Sequence, residues 1–243
     1  MVPSPEIRIS LLPSATGGGG RLQYANTFLV NDTIAVDAGS LGFNGSPESQ
    51  GRVADIVLTH PHADHIASLP FLLINRGGAS CPRVWGTEAT LDALKRHVFN
   101  DVIWPDLERI ETPEMRFVEY RTFAHGQPFE IAGLRFTAIP VDHTVPTVGF
   151  LVDAPSTSVV LGGDTGPTDE LWRRAARQPT LAGVFLETSF PEVEADLAEV
   201  SKHLTPRLFA EEARKLPAGT PLFAVHFTPT HDAEIRAELE ALG

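Results

Sequence analysis

Between Ala54 and His65 the chain reads Ala-Asp-Ile-Val-Leu-Thr-His-Pro-His-Ala-Asp-His, an apolar run passing directly into three imidazoles and a carboxylate. No other stretch limits the fold so tightly. Residues 54 to 59 form a continuous, β-branched segment, as expected of a strand buried on both faces. His60 begins the loop at its C-terminal end. Side chains two apart on extended backbone point the same way, so His60 and His62 can face one ion. Asp64 and His65 sit where a helix would begin and suit a second, neighbouring ion. Single His-x-His matches are often chance surface clusters. Four ligand-type residues between positions 60 and 65 point instead to a metal site.

With 243 residues, the chain can bury a sizeable core, and nothing in its composition demands a second domain; one domain over 1–243 is expected. No apolar run is long enough to span a membrane. The segment Met1 to Arg8 lacks the basic and apolar regions of a secretory signal, so a cytoplasmic location is expected. The single cysteine, Cys81, excludes an internal disulfide; beside Pro82 it reads as structural rather than nucleophilic. The formal net charge of −12 disfavours a long nucleic-acid substrate, whose phosphates call for Lys and Arg.

In chain order, residues 6 to 13 read as a first strand, followed by Gly17 to Gly20. That glycine run lacks the Lys-Ser/Thr of a P-loop and is expected to be a flexible loop beside the site. Residues 26–30 and 33–37 read as a hairpin turning at Asn31-Asp32. Asp37 closes it and reads as a turn residue; the resemblance given below implies instead that it orients a ligand histidine. Ile66, Leu69, Leu72 and Leu73 recur at helical spacing, with Pro70 expected to kink or interrupt the helix. Strand 83–86 leads to a helix capped by Thr87. The segment 101–113 is irregular, and Trp104 within it reads as packing rather than pocket lining. Strands are expected at 116–121, 128–132, 134–141, 148–153 and 157–162, then a helix at 168–177 and a strand at 181–185. Thr205-Pro206 marks a helix start, 222–225 a last strand, and 231–242 a final helix. His97, His125 and His231 lack ligand-like neighbours.

The pattern His60-x-His62-x-Asp64-His65 after a buried strand resembles the metallo-β-lactamase superfamily of dinuclear metallohydrolases. The resemblance implies an α/β (α+β) fold, a four-layer αββα sandwich of two mixed sheets flanked by helices. It also implies three further ligands at strand ends, and each has a candidate: His143 after Phe136–Asp142, Asp164 in Gly-Asp-Thr after Ser158–Gly163, and His226 after Leu222–Val225. His60, His62 and His143 would then hold one metal, Asp64, His65 and His226 the other, with Asp164 bridging. Nitrogen and carboxylate donors without cysteine suit two zinc ions, while manganese or iron also fit.

Two cations bridged by a carboxylate can lower the pKa of a bound water toward neutrality and polarise the group that the resulting hydroxide attacks. Phosphodiesters gain most, because their non-bridging oxygens carry charge. The departing alkoxide needs a proton, and His203 is the best donor, held protonated by Glu187. With Asp64 these form the expected catalytic set. Asp164-Thr-Gly-Pro167, Glu187-Thr-Ser-Phe190, His203-Leu-Thr-Pro206 and Ala63–Pro70 resemble the class II cyclic nucleotide phosphodiesterases. This implies hydrolysis of a small 3′,5′-cyclic nucleotide (cAMP or cGMP) to the 5′-nucleotide, in a pocket that homodimer contacts could complete. The Glu187 and His203 pair is similar to that of tRNA 3′-processing endonucleases as well, which remains an alternative, as does a lactone or ester hydrolase. The chain departs from the cyclic nucleotide pattern in two places. His226-Phe-Thr-Pro229 lacks a lysine two residues after the histidine, and Lys202 stands where a small residue is expected.

Overall fold

The computed structural model describes residues 6–15, 22–77 and 80–242; the Gly17–Gly20 run lies outside them. Contacts divide the chain into two compact units, Arg8–Ala124 and one built mainly from His125–Gly243.

The first unit carries a mixed six-stranded sheet in sequential order: β1 (Ile9–Leu11), β2 (Phe28–Val30), β3 (Ile34–Val36), β4 (Asp55–Val57), β5 (Arg83–Gly86) and β6 (Glu119–Thr122). β1 to β3 run antiparallel, and β3 to β6 are parallel. Asn31 and Asp32 turn the β2–β3 hairpin with φ of 51° and 58°, the left-handed region that these residue types tolerate. β4 is buried along its length. Asp55 within it is no apolar residue, but its carboxylate takes Arg83 Nε and Nη2 at 2.6 and 2.7 Å and Trp85 Nε1 at 2.8 Å, so the burial is compensated.

The expected helix after the His60–His65 loop is two short ones, α2 (Ala63–Ile66) and α3 (Leu69–Asn75), following α1 (Pro47–Gly51). Of the two outcomes expected at Pro70, the helix is interrupted rather than kinked: Pro70 stands in the first turn of α3, where proline's missing N–H costs nothing. α4 (Glu88–His97) starts at Thr87, whose side chain accepts from Thr90 N, and packs on β5 and β6; α5 (Leu107–Ile110) follows. Ile56, Leu58, Leu69, Leu72, Val84 and Leu94 join one buried cluster, with Trp104 packed against it, as the packing reading expects. Each such side chain contributes on the order of 1.5–3 kcal/mol by leaving water.

The second unit holds another mixed six-stranded sheet: β7 (Pro128–Ile131), β8 (Leu134–Val141), β9 (Thr147–Ala154), β10 (Thr157–Leu161), β11 (Leu181–Glu187) and β12 (Leu222–Val225). β7 to β10 are successively antiparallel, while β10, β11 and β12 are parallel. Two reversals separate β8 from β10, so β8, β10, β11 and β12 all point the same way. Their C-terminal ends share one edge of the sheet, where open α/β sheets place ligands. β9, between β8 and β10, is buried throughout.

α6 (Glu170–Ala175) packs on β8, and α8 (Pro206–Ala213) on α9 (Asp232–Leu242). Trp172 sinks into the core cluster and gives its Nε1 proton to the buried Glu212 at 2.5 Å. α7 (Ala195–Ser201) is absent from the sequence reading. Only Ala198 is buried among its residues, so it shows no apolar face wide enough to betray a helix. The two mixed sheets with attached helices agree with the expected α/β class.

Candidate metal centre and the His203–Glu187 pair

In the first unit, Asp37 leaves β3 and His60 follows β4 across a parallel pair. Asp37 adopts φ 62°, which turns its carboxylate back toward the neighbouring strand end. Oδ1 accepts from Thr59 N at 2.8 Å, and Oδ2 accepts from Thr59 Oγ1 at 2.8 Å and from His65 Nδ1 at 2.7 Å. Of the two roles expected of Asp37, the structure shows the orienting contact.

The tautomers follow from proton bookkeeping. Thr59 gives its one hydroxyl proton to Asp37, so at 2.9 Å from His60 Nδ1 it must accept from that nitrogen. Asp37 likewise accepts from His65 Nδ1–H. Both rings thereby present an Nε2 lone pair, the arrangement of histidines that bind metal. The rings of His60 and His62 are 4.5 Å apart, and those of His60 and His65 4.2 Å. His65 Nε2 lies 3.5 Å from Asp64 Oδ2.

The backbone fixes this loop as well. Asn26 N donates to Asp64 O at 2.8 Å, and Ala38 N to His65 O at 2.7 Å. Gly39 lies so near that a Cβ there would sit 1.8 Å from Asp64 O. Only glycine allows that approach.

In the second unit the shared sheet edge carries His143 after β8, Asp164 after β10, Glu187 ending β11 and His226 after β12. His143 Nδ1 donates to the carbonyl of Lys202 at 3.2 Å. Ser189 donates to Glu187 Oε2 at 2.8 Å and so accepts from His226 Nδ1 at 3.1 Å. These two rings also present Nε2. His226 Nε2 is 3.6 Å from Asp164 Oδ1. Donor atoms of His143, Asp164 and His203 lie within 4.8 Å of one another.

His203 sits on this group, its ring 4.9 Å from that of His143 and 5.9 Å from that of His226. Its Nδ1 is 2.7 Å from Glu187 Oε1. The buried Glu187 carboxylate also accepts from Thr165 N at 3.1 Å, Ser189 N at 3.0 Å and Leu204 N at 3.3 Å, so its burial is compensated by hydrogen bonds. Burial alone would lower the His203 pKa; the charge and hydrogen bond of Glu187, with Asp164, outweigh burial and raise it above the ordinary imidazole value.

The donor set fits divalent cations, since imidazole Nε2 atoms oriented by oxygen acceptors and carboxylates are what zinc, manganese or iron take. Sequence reasoning missed two contributors, Thr59 and Ser189. Each is a hydroxyl that joins a carboxylate to a histidine, and neither belongs to a ligand residue type. Of the histidines without motif support, His97 and His125 are exposed, and His231 pairs with Glu234 and Glu194 at 3.1 and 3.4 Å. Burial raises the pKa of the Cys81 thiol, which suits a structural cysteine.

Residues 34–227 match the family described as "Beta-lactamase superfamily domain". Ribonuclease Z of Mycobacterium bovis is 27% identical over 190 residues, covering 72% of this chain and 67% of that protein. A "Probable 3′,5′-cyclic-nucleotide phosphodiesterase" of Yersinia pestis is 26% identical over 202 residues, 71% of this chain and 56% of the relative, so the chain spans a little over half of that relative's length. Among solved structures, unliganded yeast PDE1 superposes with a TM-score of 0.73 at 18% identity, covering 98% of this chain and 94% of the other. The chain belongs to the metallo-β-lactamase superfamily and is a metal-dependent hydrolase of that fold.

Proposed function

We propose that this protein is a dinuclear phosphodiesterase that opens a 3′,5′-cyclic nucleotide to the 5′-nucleotide. The observation that carries the reaction type is the Glu187–His203 pair at 2.7 Å, an imidazole beside candidate ligands whose pKa the carboxylate helps to raise. Hydrolysis of a lactone or thioester has less use for such a donor. For a phosphodiester the leaving alkoxide is strongly basic, and protonating it contributes on the order of 10²–10⁴ in rate.

In this reading the chain is one catalytic domain. His60, His62 and His143 would hold one divalent cation and Asp64, His65 and His226 a second, with Asp164 assigned to both. The bound ions would supply Lewis acidity toward the phosphoryl oxygens and an acidified water. Everything else falls to the chain. Glu187 sets the ring of His203 so that Nδ1 carries the hydrogen bond and Nε2 is left to deliver its proton to the departing 3′ oxygen. Ser189 ties the same carboxylate to His226, so the acid and the ligand keep register. Thr59 and Asp37 do the same for His60 and His65.

The small substrate is favoured by the net charge of −12, which opposes a polynucleotide. A tRNA 3′-processing activity is the second reading, supported by the likeness to ribonuclease Z and by His226-Phe227-Thr228, which begins like the endonuclease motif. A hydrolysis panel on purified, metal-replete protein tests both: cyclic AMP, cyclic GMP, bis(p-nitrophenyl) phosphate, precursor tRNA and a lactone. Turnover of the cyclic nucleotides is expected. Cleavage of precursor tRNA without cyclic nucleotide turnover would select the second reading, and lactone turnover alone would defeat both.

A further inference from the structure

Lys202, immediately before His203, ends α7 in the left-handed region with φ 57° and ψ 56°. Glycine is the usual residue at such a helix end, because a Cβ is crowded there. A lysine kept in that conformation suggests that its side chain does something glycine could not. The Lys202 ammonium lies 2.6 Å from Asp142 Oδ1. Both residues line a cavity of about 520 Å3 that also reaches His203 and Arg207.

The two permanent cations facing this space differ. Arg207 is shared between two carboxylates, Glu211 at 2.9 Å and Glu192 at 3.6 Å, whereas among the described residues Lys202 pairs with Asp142, both side chains about half exposed. An ion pair so open to water is weak, so the ammonium can leave Asp142 for a competing anion at little cost. Lysine suits that exchange, being a compact point charge on a flexible stem. The need for a cation is set by the whole molecule. At a net charge of −12 the overall field repels an anionic substrate, and a local ammonium beside the proton donor offsets it.

We propose that Lys202 determines specificity for anionic substrates, moving its ammonium from Asp142 to a charged phosphoryl oxygen of a phosphodiester bound in the cavity beside His203. The inference rests on the phosphodiesterase reading and deepens it, assigning to one side chain the discrimination between charged and neutral esters. Because the lysine precedes the acid in sequence, the anion it holds lies next to the imidazole that protonates the leaving group.

The test compares wild type with K202Q, K202R, K202G and D142N, all metal-replete. KM is measured for bis(p-nitrophenyl) phosphate, an anion, and for diethyl p-nitrophenyl phosphate, a neutral ester with the same leaving group. The ratio of the two KM values should rise about tenfold in K202Q and K202G, stay within about threefold of wild type in K202R, and fall in D142N, where the ammonium is released. K202G should also melt higher than wild type, since glycine relieves the left-handed backbone. A ratio unchanged in K202Q and K202G would make Lys202 a helix end and nothing more, and would overturn the proposal.

A second measurement needs no turnover. Diphenylphosphinate is an anion with nothing to expel, and its affinity by calorimetry should weaken about tenfold in K202Q; equal affinity overturns the assignment. If wild type cleaves no phosphodiester at all, the proposed function fails, and the phosphinate comparison still decides the role of Lys202.

Discussion

Asp37 Oδ2 lies 2.7 Å from His65 Nδ1, joining two buried residues 28 positions apart. The same oxygen takes the Thr59 hydroxyl at 2.8 Å, and Thr59 in turn accepts from His60. One carboxylate therefore sets the tautomer of two candidate ligands. Replacing it with alanine should lower metal affinity about 10–100-fold, measured by competition with a chromophoric chelator. Unchanged affinity in D37A would mean that Asp37 only closes the turn.

H203A should keep its full complement of metal while losing on the order of 10²–10⁴ in turnover of an alkyl phosphodiester. The loss should be much smaller for bis(p-nitrophenyl) phosphate, whose weakly basic phenolate leaves without a proton. Equal losses on both substrates would show that His203 holds structure or metal rather than delivering a proton.

E187Q removes the charge that holds the His203 pKa up, so the acid form should be lost at lower pH. The alkaline limb of the kcat profile moves down accordingly; an unmoved limb would dissociate the pair from the titration. Stability has its own sign. A raised folded-state pKa stabilises fully below the unfolded value of about 6.5, and the benefit fades as pH rises through the folded value. The melting temperature of E187Q should therefore fall further behind wild type at pH 6 than at pH 9.

Removing the metals with a chelator should lower the melting temperature as well as abolish turnover. A ligand present at 100 times its Kd stabilises by about 2.7 kcal/mol. Restoring zinc or manganese should recover both properties. A melting curve indifferent to chelation would argue against ions bound to the folded chain.

Gly39 stands where a Cβ would lie 1.8 Å from Asp64 O and 2.7 Å from Asn26 N. Both are backbone atoms that cannot step aside without breaking the Asn26–Asp64 hydrogen bond. G39A should cost about 3 kcal/mol, read by chemical denaturation, and should weaken metal binding in the protein that remains folded. Wild-type stability would show that the loop yields.

Much of this protein could be read along the chain because its chemistry follows its strands. His60, His143, Asp164 and His226 each come just after a buried apolar run, and a periodic run announces itself without any tertiary knowledge. Glu187 and His203 follow instead from a leaving alkoxide's need for a proton and from the motifs around them. Periodicity failed where burial leaves no pattern. α7 buries Ala198 alone among its residues.

Fold class and family are legible in motifs that resemble known hydrolases, and the ligand residue types in their order along the chain. Which atoms work together within each unit follows from folding instead. Thr59 shares a carboxylate with His60 and His65; Ser189 joins Glu187 to His226, 37 residues away; Lys202 caps His143 with its carbonyl while its ammonium faces the cavity. Hydrogen bonds of about 3 Å depend on where folding brings strand ends, and no spacing along the chain records that distance.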